Sequence, residues 1–363
     1  MDTHILPLTQ GGISSLEGFG STTTAGSGGE ICVVTNLNDS GDGSLRDALS
    51  LDGCREIRFG VEGTINLLSA ICITNPYFTI LGNTAPGLGI TIKGHGLFVN
   101  THDFIIKHLR VRPGVTTNPS EDAITLYEAY NGVVDHCSLS WASDEIISVT
   151  ENSHDITISW CIVSEGLMYH SAGSLIKYNT RRISLHHCLY AFNNDRNPQW
   201  SSEGATEDTN YDMRNNVIAL WGNTPTQFFD ASKLNMVGNY YKRIDPTGGA
   251  FAVRMRYEDG RSLFLEGNLH TIYCRDGTGT QFTKEGVFTA FISRYLGYDG
   301  EPIEILERPL AHAEVRTTTA LQAYVEVMAF SGAHPRDTID ARVIQQVHDG
   351  VGSLIKCPNE VGG

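Results

Sequence analysis

Three acidic residues stand at the heads of two similar apolar phrases: Asp122 opens DAITLY, and Asp144 with Glu145 opens DEIISV, one coil length further on. Carboxylates are the oxygen donors that a hard divalent cation takes, in a loose geometry completed by carbonyls and water. If both phrases are strands of one parallel sheet, their heads meet on a single outer face. The plain alternative, solvated carboxylates at strand ends, is common for a lone Asp and less natural for two acidic heads in adjacent coils. Arg196 follows in NNDRNPQW, and further on Arg254 and Arg256 alternate with Met255. Two arginines flanking one strand residue share a face, where they bind a polyanion or pair with Glu258 and Asp259.

Such groups converge only if the chain returns to the same place at a fixed interval, and it does. FTILGN, FIIKHL, VVDHC, ITISWC, ISLHHC, YDMRNN, LNMVGN and LFLEGN close on Asn83, Leu109, Cys137, Cys161, Cys188, Asn216, Asn239 and Asn268, in steps of 26, 28, 24, 27, 28, 23 and 29 residues. A period in this range marks a stacked architecture whose units cannot bury their own apolar faces. The phrases are extended and β-branched, break into polar turns, and are not joined by long 3.6-period stretches. The economical solution is an all-β, single-stranded right-handed parallel β-helix with coils about 4.8 Å apart. The closing residues are expected to point inward and stack as ladders of Cys and Asn. Cys137, Cys161 and Cys188 are read as ladder members, since a zinc site needs close ligand pairs that are absent.

The 363 residues exceed the usual single-core limit, which solenoids escape by adding coils, so one domain over 1–363 is expected. Its coils run from about 30 to 300 and a C-terminal arm from about 301 to 363. Ser44 caps LRDALSL, a short helix that plugs the open N-terminal end, while ALQAYVEVMAF and PRDTIDARVIQQVHDG read as helical pieces of the arm. A formal charge of −15 argues against nucleic acid as a partner. It admits an acidic polymer where a cation or arginines reverse the local field. No stretch approaches the ~20 apolar residues of a membrane span. Cysteines outside the ladder are odd in number (Cys32, Cys54, Cys72, Cys274, Cys357), so at least one is free or pairs with a ladder residue. MDTHILPLTQ has no basic end or apolar run, consistent with a mature chain or a cytosolic protein.

The run GFGSTTTAGSGG, VTNLNDSGDGSLRDAL, TILGNTAPGLGITI, VVDHCSLSWASDE, ISWCIVSEGL, HHCLYAFNNDRNP and PRDTIDARV, from about Gly18 to Val343, resembles family 1 polysaccharide lyases, the pectate lyases. It is most similar to their bacterial branch with DHCSxSWxxDE. The resemblance implies a pectate lyase-like solenoid that cleaves polygalacturonate by β-elimination, using calcium and an arginine base. Removing a proton α to a carboxylate requires neutralising that carboxylate and stabilising the dianion that develops, which a hard cation does. The implied metal residues are Asp122, Asp144, Glu145 and Ser148. Ser148 departs from the pattern, for the family carries an Asp there, and a hydroxyl is a weaker calcium ligand. A calcium site completed only with substrate is the expected consequence.

Arg196 matches the catalytic arginine in its R-x-P context. A guanidinium with a pKa above about 12 acts as a base only where desolvation and nearby cations lower that value. The alternative is an arginine paired with Asp195 or Asp208. A second family arginine is Ser201 here, and the family lysine falls at Ala172, leaving His170 and Lys177 as substitutes for holding a substrate carboxylate. Trp200 is a candidate platform for a galacturonate ring, whereas Trp141 and Trp160 are read as packed between coils. His136, His186 and His187 adjoin ladder residues and lack the spacing of a zinc motif.

The reading is a secreted, monomeric, calcium-dependent pectate lyase acting on pectin polysaccharide. Two alternatives stand beside it: a pectin or other polyuronate lyase on the same fold, and a non-catalytic glycan-binding solenoid, prompted by Ser148, Ala172 and Ser201. A hydrolase is disfavoured because it needs paired carboxylates in acid and base roles.

Overall fold

A computed structural model describes residues 16–115, 120–167, 170–205, 209–230, 232–243, 252–255, 262–271, 280–281, 292–294 and 304–363. Its strands form three sheets of eleven, nine and ten members, parallel apart from the pair Leu269–His270 with Thr280–Gln281, and the parallel strands each pair with their counterparts one coil away. This is the right-handed parallel β-helix expected from the period. The closing phrases build the eleven-stranded sheet, in strict register: Val134 lies between Ile106 and Ile158.

The ladder forms as the spacing implied, with one exception. Cys137, Cys161, Cys188, Asn216, Asn239 and Asn268 are fully buried. Each Asn side chain accepts from the backbone of the coil before it, Cys188 N to Asn216 Oδ1 at 2.9 Å and Asn216 N to Asn239 Oδ1 at 3.0 Å. Asn83 departs from the column: it is exposed, because Gly82–Thr84 forms a turn of 3-10 helix that swings the side chain outward.

The residue before each ladder member is left-handed: His108, His136, Trp160, His187 and Asn215 have φ of 55, 50, 52, 55 and 53°, and Gly238 and Gly267 both 62°. This kink turns the chain from the eleven-stranded into the ten-stranded sheet, and it is costly for residues with a Cβ. Stacking compensates. His108, His136, Trp160 and His187 form an outer column with ring centroids 5.0, 5.7 and 4.3 Å apart. The column accounts for His136 and His187 as structure, His186 meets His187 edge-on at 5.2 Å, and Trp160 packs between coils as expected.

The N-terminal plug is helix α1, Leu45–Ser50, capped by Ser44, whose side chain accepts from Asp47 N. Before it, the Gly/Ser/Thr-rich segment crosses the outside of the eleven-stranded sheet, where Phe19 N, Gly20 N and Gly26 N donate to Ser184, Thr157 and Thr79 hydroxyls. A Cβ at Gly20 would lie 2.2 Å from Gly132 O, so only glycine fits. One short strand, Glu304–Ile305, still pairs with Ser262–Leu263, so the register reaches slightly beyond Gly300. The arm then forms helices α2, Ala320–Phe330, and α3, Thr338–Asp349, packed on the ten-stranded sheet through Val327, Val343 and Val347. Arg112 fastens it, bound by Asp337 and Asp340, while Arg342 holds buried Glu165 at 2.7 Å. No helix among the described residues is long and apolar enough to cross a membrane. The seven described cysteines are all free, and Cys274 lies outside the described residues.

Candidate functional site

The nine-stranded sheet carries the site, because its strands begin where long loops return from the ten-stranded sheet. Ile124–Tyr127, Glu145–Thr150, Ala172–Ile176 and Gln199–Ser201 are four successive members. Thr125, Ser148, Leu175 and Gln199 form one row across them. Nearer the strand heads, Glu145 pairs with Ala172 and Ala172 with Asp195. Residues 22 to 52 positions apart in sequence are thus brought within side-chain reach.

Asp122 and the head of the next strand meet directly. Asp122 Oδ1 accepts from Glu145 N at 3.1 Å, and Oδ2 accepts from the Thr125 hydroxyl at 2.9 Å and from the Ser148 hydroxyl. Ser148 therefore occupies the position where the family pattern has an Asp and spends its hydroxyl on Asp122. Burial pushes the Asp122 carboxyl up to about 7, with nearby Asp144 and Glu121 adding to the rise and the two hydroxyls opposing it. A carboxyl that holds its proton near neutrality ionises fully once a positive charge sits beside it.

Asp144 lies 3.1 Å from His170 Nδ1, and Glu145 is contacted by the Arg196 guanidinium. Asp144, Glu145 and His170 each offer a ligand atom within 4.8 Å of the others. Two carboxylates, with Asp122 beside them, make an oxygen-rich set suited to a hard cation such as calcium, and His170 adds a nitrogen donor at the edge. Backbone bracing keeps the set in place: Ser143 N and Asp144 N both donate to Glu121 O, while Glu121 Oε1 accepts from Gly96 N at 2.9 Å.

Arg196 enters from two coils away. It is left-handed, with φ 54°, and its carbonyl accepts from Ser174 N at 2.7 Å. Burial pulls its pKa below the usual guanidinium range, while Asp144 and Asp122 pull the other way. Its ionic partner is Glu145. Asp195 instead accepts from the Arg196 backbone N at 3.0 Å, and Asp208 lies outside the described residues.

The remaining candidates do not join this cluster. Trp200 is fully buried, with its ring 4.9 Å from that of Tyr211, so it is core and not a platform for a sugar ring. Odd and even strand positions face opposite ways, and Trp200 took the inward one. Lys177 follows the far end of Ala172–Ile176, about 16 Å along the strand from Ala172 at ~3.3 Å per residue. There it pairs with Glu203 at 2.7 Å, which removes it as a stand-in for the family lysine. Ser201 is buried and donates to Asp230. Arg254 sits on the same sheet, half-buried, in register with Gln227 and hence with Gln199. Arg256 lies outside the described residues. Sequence reasoning missed Thr125 and Glu121, although the D-x-x-T spacing was in view. It also missed Gln227, whose position one coil after Gln199 was available from the period.

No family model matches the chain. It is 35% identical over 351 residues to the probable pectate lyase C of Emericella nidulans, covering 96% of this chain and 78% of that protein. To the probable pectate lyase C of Aspergillus flavus it is 34% identical, over 96% of this chain and 80% of that one. Among solved structures, the major cedar pollen allergen superposes with a TM-score of 0.68 at 17% identity, over 88% of this chain and 92% of that chain. The pectate lyase of Bacillus sp. N165, in complex with trigalacturonate, superposes with a TM-score of 0.61 at 19% identity, over 88% and 98%. At such identities the two structures bear on the fold alone.

Proposed function

The chain belongs to the pectate lyases and is a polysaccharide lyase, and from that premise we propose that it cleaves polygalacturonate by calcium-assisted β-elimination, with Arg196 as the base. One observation carries the proposal: the half-buried guanidinium of Arg196 reaches into the carboxylate cluster of Asp122, Asp144 and Glu145. Asp122, Asp144 and Glu145, with the Ser148 hydroxyl, would hold the cation. A bound hard cation neutralises the uronate carboxylate and stabilises charge that develops as the α proton leaves. Arg196 takes the C5 proton, the C4–O bond of the polymer breaks, a C4=C5 double bond forms, and the departing oxygen takes a proton from solvent. To act, the guanidinium must leave Glu145 and stay desolvated, which favours alkaline conditions. His170 and Arg254 are the groups left to hold carboxylates of neighbouring sugar units, with Arg256 beside them in sequence.

A single domain over 1–363, acting as a secreted monomer, is in keeping with a polymeric substrate outside the cell. The DHCSLSW motif supports a place near the bacterial branch, beside curated relatives that are fungal. The neutral side chains at Ala172 and Ser201 favour a second reading, a lyase for partly esterified polyuronate, because fewer cations then line the groove. Ultraviolet absorbance during digestion of polygalacturonate, with calcium or chelator, tests the proposal. A lyase gives new absorbance from the double bond, and that absorbance depends on calcium. Reducing ends without absorbance would indicate hydrolysis, and neither signal a binding module.

A further inference from the structure

The loop that presents Arg196 is held by a residue from the following coil. Gln227, on the strand Thr226–Phe229, donates through Nε2 to Asp195 Oδ1, the same oxygen that accepts from Arg196 N at 3.0 Å. Gln227 N in turn donates to Pro198 O at 2.8 Å, so one residue grips the loop on both sides of Arg196. Gln227 is buried, as is Gln199 beside it in the row that continues to Arg254. A left-handed φ of 54° is unfavourable for arginine. The hydrogen bond from its own N–H to Asp195 adds to the restraint that Ser174 N places on its carbonyl at 2.7 Å. Neighbouring groups fix the backbone but not the Asp195 carboxylate: Asn193 and Asn197 bond to each other at 3.1 Å and to Val163 O and Thr224 O at 3.0 Å, and Asp195 N donates to Ser171 O at 3.1 Å while its carbonyl accepts from Gly173 N at 2.9 Å.

We propose that Gln227 is a positioning residue for the elimination: through Asp195 it fixes the direction in which the Arg196 side chain leaves the backbone. The inference rests on Arg196 being the base. Gln227 touches neither substrate nor cation, and its contribution is alignment, where a displacement of about 1 Å costs on the order of 100-fold in rate.

The test is Gln227→Leu, in wild type and in an Arg196→Lys background, with kcat, KM and melting temperature measured on polygalacturonate. A positioning role lowers kcat by about 10- to 100-fold with KM changed by less than about twofold, and adds little in the Arg196→Lys background, where there is no guanidinium fork left to align. Wild-type kcat in Gln227→Leu, or the same fold-loss in both backgrounds, overturns the proposal. Should Gln227→Leu not fold, Asp195→Asn, which keeps the accepting Oδ1, is expected to lose several-fold less kcat than Asp195→Ala, and equal losses overturn it. If Arg196→Lys alone keeps full turnover, the base assignment itself falls, a result distinct from failure of Gln227 alone.

Discussion

Arg196 contacts Glu145 across an intervening coil, and the residue in register between Glu145 and the Arg196 loop is Ala172. The small side chain leaves the path open, so a base candidate and a cation ligand candidate share one carboxylate. Replacing Glu145 by Gln removes the ion pair without changing shape. Chelator-treated Glu145→Gln is expected to bind oligogalacturonate at least as well as wild type, because its guanidinium is free for a substrate carboxylate. Titration calorimetry with trigalacturonate checks this, and weaker binding would show that Glu145 positions Arg196 and does not sequester it.

Arg196→Lys keeps the positive charge and loses the planar fork, so turnover should fall by about 10²- to 10⁴-fold, the usual share of general base catalysis, with binding largely kept. Arg196→Ala should lose at least as much and bind less well. Turnover and melting temperature measured on the same preparations decide it. Normal turnover in either variant removes Arg196 from the chemistry.

Asp122→Asn and Asp144→Asn should reduce activity far more than stability, and excess calcium should restore part of the activity in the variant that has lost affinity and not geometry. Of the two, Asp122→Asn disturbs the apo protein less, since its buried carboxyl, with a pKa near 7, is partly neutral already. Unchanged wild-type turnover in chelator would end the calcium reading.

Cys161 lies at the middle of the buried column, with its Sγ 3.3 Å from Ser159 O and its N donating to Cys188 Sγ. Cys161→Ala should cost about 1 to 2 kcal/mol and Cys161→Asp several, because the latter buries an unpaired charge between coils. Equal melting temperatures for the two variants would mean that this position is not closed to water.

Acid stability should be set in part by His108 of the outer column and by the buried His186, which meets His187 edge-on. Burial lowers His108 from the usual 6.5 to about 3 and His186 to about 4. Below pH 6.5 the unfolded chain therefore binds protons that the folded one refuses, so stability is full above pH 6.5 and declines as the pH falls toward 4. For His108 alone the loss is on the order of 3 kcal/mol by pH 4. His108→Asn should lower the melting temperature at pH 8 yet flatten its slope between pH 6.5 and 4. An unchanged slope would assign the acid sensitivity elsewhere.

The 23- to 29-residue period determined the fold, the inward ladder and the nearness of Asp122 to Asp144, because in a solenoid each coil stacks on its neighbours and residues one period apart come together, while the plug was legible from the Ser44 cap. The same logic failed where one residue changes face or end. The 3-10 turn at Gly82–Thr84 threw Asn83 outward, strand parity put Trp200 in the core, and Lys177 came to rest at the far end of its strand beside Glu203. Side-chain partners were decided only by the tertiary structure. In sequence Glu145 read as a cation ligand or a solvated strand end and Arg196 as a partner of Asp195 or Asp208, and the pairing of Arg196 with Glu145 was not foreseen. Which oxygen a guanidinium reaches depends on the direction set by φ at Arg196, on the space left by Ala172 and on the grip of Gln227 on Asp195, distances of a few ångströms that a coil period of two dozen residues does not resolve.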